Sequence, residues 1–232
     1  MFDRKAFFDA VRVKPFGKAL TQSQVDGMNI ILDAWDKSGF YDTRWLAYML
    51  ATAFHETDRT MQPIREYGRG KGMKYGTTYY GRGFVQLTWK ANYQKAKDKL
   101  GEDFVGNPDL ALRPDLAAKI MFLGMSEGWF TSKELSDYIS GSTCDYKNAR
   151  RIINGTDKAT TIAGYAVSFQ NAIQDAVAPL PAPPPDIPAP EPSPPVPPDV
   201  EPASPAPSGG VSIWPFAIAA AVVVAVIAFI LH

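Results

Sequence analysis

The sequence predicts a mainly helical domain with a small loop-and-hairpin lobe, then a proline-rich linker without a fold, then one transmembrane helix. Three observations predict it. Apolar residues recur at helical spacing through most of residues 1–177, with capping signals at the boundaries. Residues 67–83 (YGRGKGMKYGTTYYGRG) hold six glycines and four tyrosines and have no helical period. After residue 177 the composition changes twice.

The opening Met1-Phe2-Asp3-Arg4-Lys5-Ala6-Phe7-Phe8-Asp9 has no apolar run of signal-peptide length and reads as a helix start. Thr21 with Gln24 is a capping-box pattern. Behind it Val25, Met28, Leu32 and Trp35 recur at helical spacing until Gly39. Thr43 is placed to cap the next helix, whose stripe is Leu46, Met49, Leu50, Ala53 and Phe54, ending at Glu56. Residues 91–100, 114–127, 145–153 and 157–177 also read as helical, the last with Ile162, Tyr165, Ala166, Phe169 and Ile173 on its core face.

Residues 178–210 form the linker. Its first 31 positions contain 15 prolines, which cannot build a core and favour an extended polyproline II chain. Residues 211–232 hold the uncharged run IWPFAIAAAVVVAVIAFIL at 213–231, long enough to span a bilayer. No Lys or Arg flanks it, so its orientation is unset. All 24 Lys and Arg and 20 of the 24 acids precede residue 178, giving the domain +4 and the tail −4. A mildly basic domain suits an anionic polymer or surface. With one cysteine, Cys144, the chain forms no intrachain disulfide.

Two carboxylates attract attention. Glu56 lies at the edge of an apolar stripe, a setting that favours the protonated form a general acid needs. Read alone, it is more simply a partly exposed carboxylate opposing its helix dipole. Glu66 follows ten residues later, before the glycine-rich loop, and alone reads as a surface Glu. Together they supply what glycoside cleavage requires: one group to protonate the leaving oxygen, one to activate water. Tyr67, Tyr75, Tyr79, Tyr80 and Trp89 could stack on sugar faces or simply pack. Other chemistries find less material. His55 and His232 are the only histidines, no acid sits at zinc-ligand spacing from them, and Gly81-Arg82-Gly83 lacks a strand-to-helix setting. No metal and no organic cofactor is expected.

Five words in order carry a resemblance: Phe54-His55-Glu56-Thr57; Ile64-Arg65-Glu66; the stretch from Tyr80-Gly81-Arg82-Gly83 through Gln86, Thr88, Trp89 and Asn92 to Tyr93; Asn107-Pro108-Asp109-Leu110; and Ile152-Ile153-Asn154-Gly155. Over roughly residues 20–175 the chain resembles family 19 glycoside hydrolases, the plant-type chitinases and related bacteriophage endolysins. The resemblance implies a lysozyme-like α+β helical domain and an inverting mechanism. It implies Glu56 as general acid and Glu66 as general base, with His55, Thr57, Tyr80, Gln86, Thr88, Asn92 and Asn154 binding substrate. The segment between the glutamates is shorter than in plant chitinases, Thr161 replaces an Arg of the last helix, and the plant disulfides and Trp-Phe-Trp word are missing. The opening Ala6–Arg12 and Leu20–Val25 look phage-like.

The sequence therefore ranks a membrane-anchored, endolysin- or lysozyme-like enzyme acting on peptidoglycan first. A chitinase acting on chitin or chitooligosaccharides comes second, and a catalytically dead, membrane-tethered glycan-binding protein third. The expected partners are the polysaccharide and, through the C-terminal helix, a membrane. No nucleic acid is expected, and the chain should be a monomer. Localisation reads as a single-pass C-terminal anchor without an N-terminal signal peptide. The tail could stay embedded, translocate the domain, or await a pore-forming lysis partner.

Overall fold

The computed structural model describes residues 2–177. The linker and the apolar run at 213–231 lie outside the described residues. Among those described, no helix is long and apolar enough to cross a membrane.

Six α-helices carry the fold of the described residues. Helix α1 (Arg4–Val13) is capped by Asp3, whose carboxylate accepts from the Ala6 amide at 3.0 Å. Helix α2 (Gln22–Ser38) opens on the Thr21/Gln24 capping box and closes on Gly39 in the left-handed conformation at φ 74°, as the sequence predicts. Helix α3 (Thr43–Glu56) ends at Glu56, but its cap is not Thr43. Asp42 accepts from the Arg44 amide at 3.1 Å, and Thr43 is the first helical residue. Helices α4 (Lys90–Leu100), α5 (Pro114–Ser126) and α6 (Ala159–Val177) follow. The expected helix at 145–153 is instead a short 3-10 turn, Asn148–Ile152, and a second such turn covers Pro108–Leu112.

Helix α3 differs most from its expected pattern. The sequence predicts a stripe, yet all nine residues Leu46–Phe54 are buried. The interval holds no charge, and three of its residues are alanines, so neighbours can approach from every side. Helix α6 lies along it, α1 packs on α6, and α2 packs on α5. On α6, Ile162, Ala166, Phe169 and Ile173 are buried as expected, while Tyr165 is half-buried and meets Phe54 edge-on.

The turn leaving α3 is pinned against α2. Asp58, Arg59 and Met61 all have positive φ, an unusual run of left-handed residues without glycine. The Gln24 side-chain amide donates to the Arg59 carbonyl at 2.9 Å, and that of Gln62 to the Ser23 carbonyl at 2.5 Å. Gly27 is required for this contact, since a Cβ there would stand 1.7 Å from the Met61 carbonyl oxygen.

Two small antiparallel ladders complete the domain. Strand β1 (Ile64–Arg65) pairs with β2 (Arg82–Gly83), placing Arg65 opposite Arg82. Like charges across a ladder repel. Asp109, from the turn Pro108–Leu112, separates them: Oδ2 bonds Arg65 at 2.7 Å and Oδ1 bonds Arg82 at 2.8 Å. Strand β3 (Ile139–Ser140) pairs with β4 (Thr143–Cys144), and Arg44 and Trp45 at the start of α3 donate to carbonyls of that hairpin.

Candidate active site

Three segments carry the two glutamates and their partners: the C-terminal end of α3, the loop between β1 and β2, and the turn Asn148–Ile152. Glu56 is the last residue of α3, so the core burial of that helix fixes where its carboxylate emerges. Its partner is Arg150, whose guanidinium donates to Oε1 at 2.5 Å. Both side chains are enclosed, at 15% and 5% exposure. Arg150 also donates through Nε to the Asp157 carbonyl at 3.1 Å. The carboxylate at the edge of the apolar stripe thus also faces a cation, a partner that the helical pattern of α3 does not contain.

Glu66 is held differently. Its Oε1 accepts from the Tyr75 hydroxyl at 2.6 Å and its Oε2 from the Gly81 amide at 3.0 Å. Both donors belong to its own loop. The Glu66 backbone amide donates to the Gly81 carbonyl at 2.8 Å, closing the loop at its base. Burial, then the hydrogen bond and charge of Glu66, push the Tyr75 phenol up to about 12, so it stays a donor well into the alkaline range. The two glutamate-bearing segments are tied by Tyr67, whose hydroxyl donates to Asp58 Oδ2 at 3.0 Å.

The other site residues sort by exposure. Gln86, Thr88 and Asn92 are half-buried and linked in series. The Gln86 amide donates to the Ile64 and Gly83 carbonyls, both at 3.2 Å. The Thr88 hydroxyl donates to the Gln86 carbonyl at 2.7 Å, and the Asn92 amide to the Thr88 carbonyl at 2.9 Å. Asn154 is exposed beyond Arg150, its side-chain oxygen accepting from the Gly155 amide at 2.8 Å. His55 is half-buried. Burial lowers its pKa most; the Glu56 carboxylate pulls the other way, and Arg150 reinforces the lowering.

Two expected substrate contacts are corrected. Thr57 is fully buried, its hydroxyl donating to the Ala53 carbonyl at 2.7 Å and accepting from the Met61 amide at 3.0 Å. It closes α3 and cannot reach a ligand. Tyr80 is 6% exposed, with the Arg82 guanidinium 3.7 Å from its ring centre. It supports the loop from beneath. Among the aromatic candidates, Tyr67 and Trp89 present exposed rings, whereas Tyr79 packs on Tyr93. Arg150 is a residue that sequence reasoning missed. Its signal was faint, an Arg-Arg pair directly before Ile152-Ile153-Asn154-Gly155. Among the described residues no group of three His, Cys, Asp or Glu side chains is placed to hold a metal ion.

Residues 45–165, more than half of the chain, match the glycoside hydrolase family 19 model described as chitinase class I. The chain belongs to glycoside hydrolase family 19. It is similar to an acidic endochitinase of Petunia hybrida, 38% identical over 69 residues, which cover 28% of this chain and 27% of that protein. It is also similar to chitinase 11 of Oryza sativa subsp. japonica, 37% identical over 111 residues, covering 38% and 43% respectively. This family 19 chain therefore spans less than half the length of these curated relatives. Its fold is similar to that of chitinase C from Streptomyces griseus HUT6037, with a TM-score of 0.50, 20% identity, and coverage of 77% of this chain and 79% of that one.

Proposed function

We propose that this chain is an inverting glycoside hydrolase that cleaves β-1,4 bonds between N-acetylhexosamines. Glu56 protonates the leaving oxygen, and Glu66 removes a proton from the attacking water. The observation that carries this reading is the pair of glutamates on two segments tied by the Tyr67–Asp58 hydrogen bond, each carboxylate with its own fixed donors. When Glu56 gives up its proton it becomes a carboxylate beside the Arg150 guanidinium, which stabilises the charge formed. Tyr75 and the Gly81 amide aim the Glu66 carboxylate, leaving its remaining lone pairs for water.

For the substrate, the relatives named above are chitinases, which supports chitin or chitooligosaccharides as substrates and does not single out the peptidoglycan that the sequence ranked first. Incubation with chitohexaose, followed by NMR of the first product formed, tests the reaction. The α-anomer is expected from the β-linked substrate. The β-anomer first would sink the inverting mechanism, and no cleavage of any N-acetylhexosamine polymer would sink the reading itself.

We keep the membrane anchor as a proposal resting on the apolar run at 213–231. The full chain is expected in the membrane fraction after an alkaline wash. Recovery in the supernatant would remove the anchor without touching the active-site reading.

A further inference from the structure

We propose that the loop carrying Arg69, Lys71 and Lys74 forms an anion-accepting rim on the segment that holds Glu66, making the site prefer N-acetylhexosamine polymers that bear carboxylates over neutral ones. This rests on the glycan-binding part of the reading above and specifies its substrate class.

Residues 64–95 contain seven Lys and Arg and a single acid, Glu66 itself. Two of those cations, Arg65 and Arg82, are matched by Asp109 and serve the fold. Arg69, Lys71 and Lys74 are exposed and make no ion pair or side-chain hydrogen bond among the described residues, and the same holds for Lys90 next to the exposed ring of Trp89. Elsewhere among the described residues, unpaired cations such as Lys14, Lys37 and Lys119 also occur; Arg69, Lys71 and Lys74 are distinguished by standing as three unpaired cations within six residues, with no acid between them.

The loop is not a loose strand of charge. Four i-to-i+3 backbone bonds run through it: Arg69 to Glu66, Lys71 to Gly68, Met73 to Gly70 and Gly76 to Met73. The first starts on Glu66, and Tyr75, next to Lys74, returns its hydroxyl to the Glu66 carboxylate. The cations are therefore carried at fixed places on the segment that aims the candidate base. A neutral chitin chain gains nothing from them. A polymer with carboxylates along it, whether a muramic-acid-containing wall polymer or a chemically carboxylated chitin, gains an attraction that salt screens within about 10 Å at 0.1 M.

The test pairs two polymers with one backbone, neutral glycol chitin and anionic carboxymethyl chitin. Binding is measured with the full-length Glu56→Gln protein, so turnover does not interfere. At low salt we expect tighter binding to carboxymethyl chitin. In the combined variant Arg69→Gln/Lys71→Gln/Lys74→Gln that affinity should fall about tenfold, with a much smaller change on glycol chitin. Lys71→Arg/Lys74→Arg should retain the preference. High salt should abolish it in the parent protein. A lack of preference, including a lack of binding, overturns the rim, as does equal weakening on both polymers by the combined variant. Purified murein strands in a third arm show whether a natural carboxylated wall polymer is preferred like the synthetic one. Hydrolysis by the unmutated chain separates the two readings. Preference without cleavage leaves the rim and removes the hydrolase; cleavage without preference does the reverse.

Discussion

The surroundings of the two glutamates are built on opposite plans. Glu56 ends a helix that is buried for nine consecutive residues, and its partner Arg150 comes from 94 positions away. Glu66 is held by Tyr75 and Gly81, nine and fifteen positions away on one loop. The first carboxylate is placed by the whole core, the second by local turns. An assembled core makes the Glu56 pair costly to disturb, whereas the Glu66 support can be altered with little effect on the fold.

The largest expected effect is at Glu56. Glu56→Gln should lower kcat by roughly 10²–10⁴-fold, because an amide cannot act as the acid. Under alkaline conditions, where Glu56 has lost its proton in the parent, the variant should also be less stable by about 3 kcal/mol, because it leaves the Arg150 guanidinium enclosed without its counter-charge. Denaturant unfolding checks the second part. A variant of parental stability would mean that the ion pair contributes nothing.

Glu66→Gln sharpens the contrast. Activity should fall by a similar roughly 10²–10⁴-fold, since the base is lost. Stability should stay within about 0.5 kcal/mol, because an amide oxygen still accepts from Tyr75 and Gly81. Unfolding as severe as that of Glu56→Gln would erase the distinction drawn above.

Tyr75→Phe should act more weakly, lowering kcat by about tenfold by removing one of two aiming hydrogen bonds while KM changes little. Because the phenol lies at about 12, the parent should keep this support across the neutral and mildly alkaline range. A steep loss of kcat between neutrality and mild alkali in the parent, absent from the Phe variant, would contradict that assignment.

The smallest expected effect belongs to His55. Its folded pKa is lowered, so the unfolded chain binds a proton more readily. Its contribution to stability is complete above the ordinary histidine value of about 6.5 and is lost as pH falls from there through the lowered folded value. His55→Gln should flatten that part of the Tm-against-pH curve. An unchanged slope in the variant would assign the acid sensitivity elsewhere.

Much of the helical frame was legible because its signals are local. The Thr21/Gln24 box, the Gly39 stop and the end of α3 at Glu56 depend on residues within a few positions. The Thr43 cap failed because Asp42, one position earlier, offers a better-placed acceptor. The words around Thr57 and Tyr80 point to ligand contacts, but burial is set by packing that a word does not encode. Arg150 was missed for the converse reason. Its meaning comes from a partner 94 residues away, and in the sequence it is one of two adjacent arginines.

The Asp109 carboxylate grips Arg65 and Arg82, one on each side of the glycine-rich loop. Burial raises its pKa, but the two arginine hydrogen bonds together outweigh that, so it remains an anion at ordinary pH. The loop therefore resembles a handle riveted at both ends. A trypsin cut after the exposed Lys71 or Lys74 would sever the chain without freeing either half, because β1 and β2 remain paired and bridged beneath the nick. The nicked protein should run as two fragments in denaturing gels, yet elute as a single species from a sizing column.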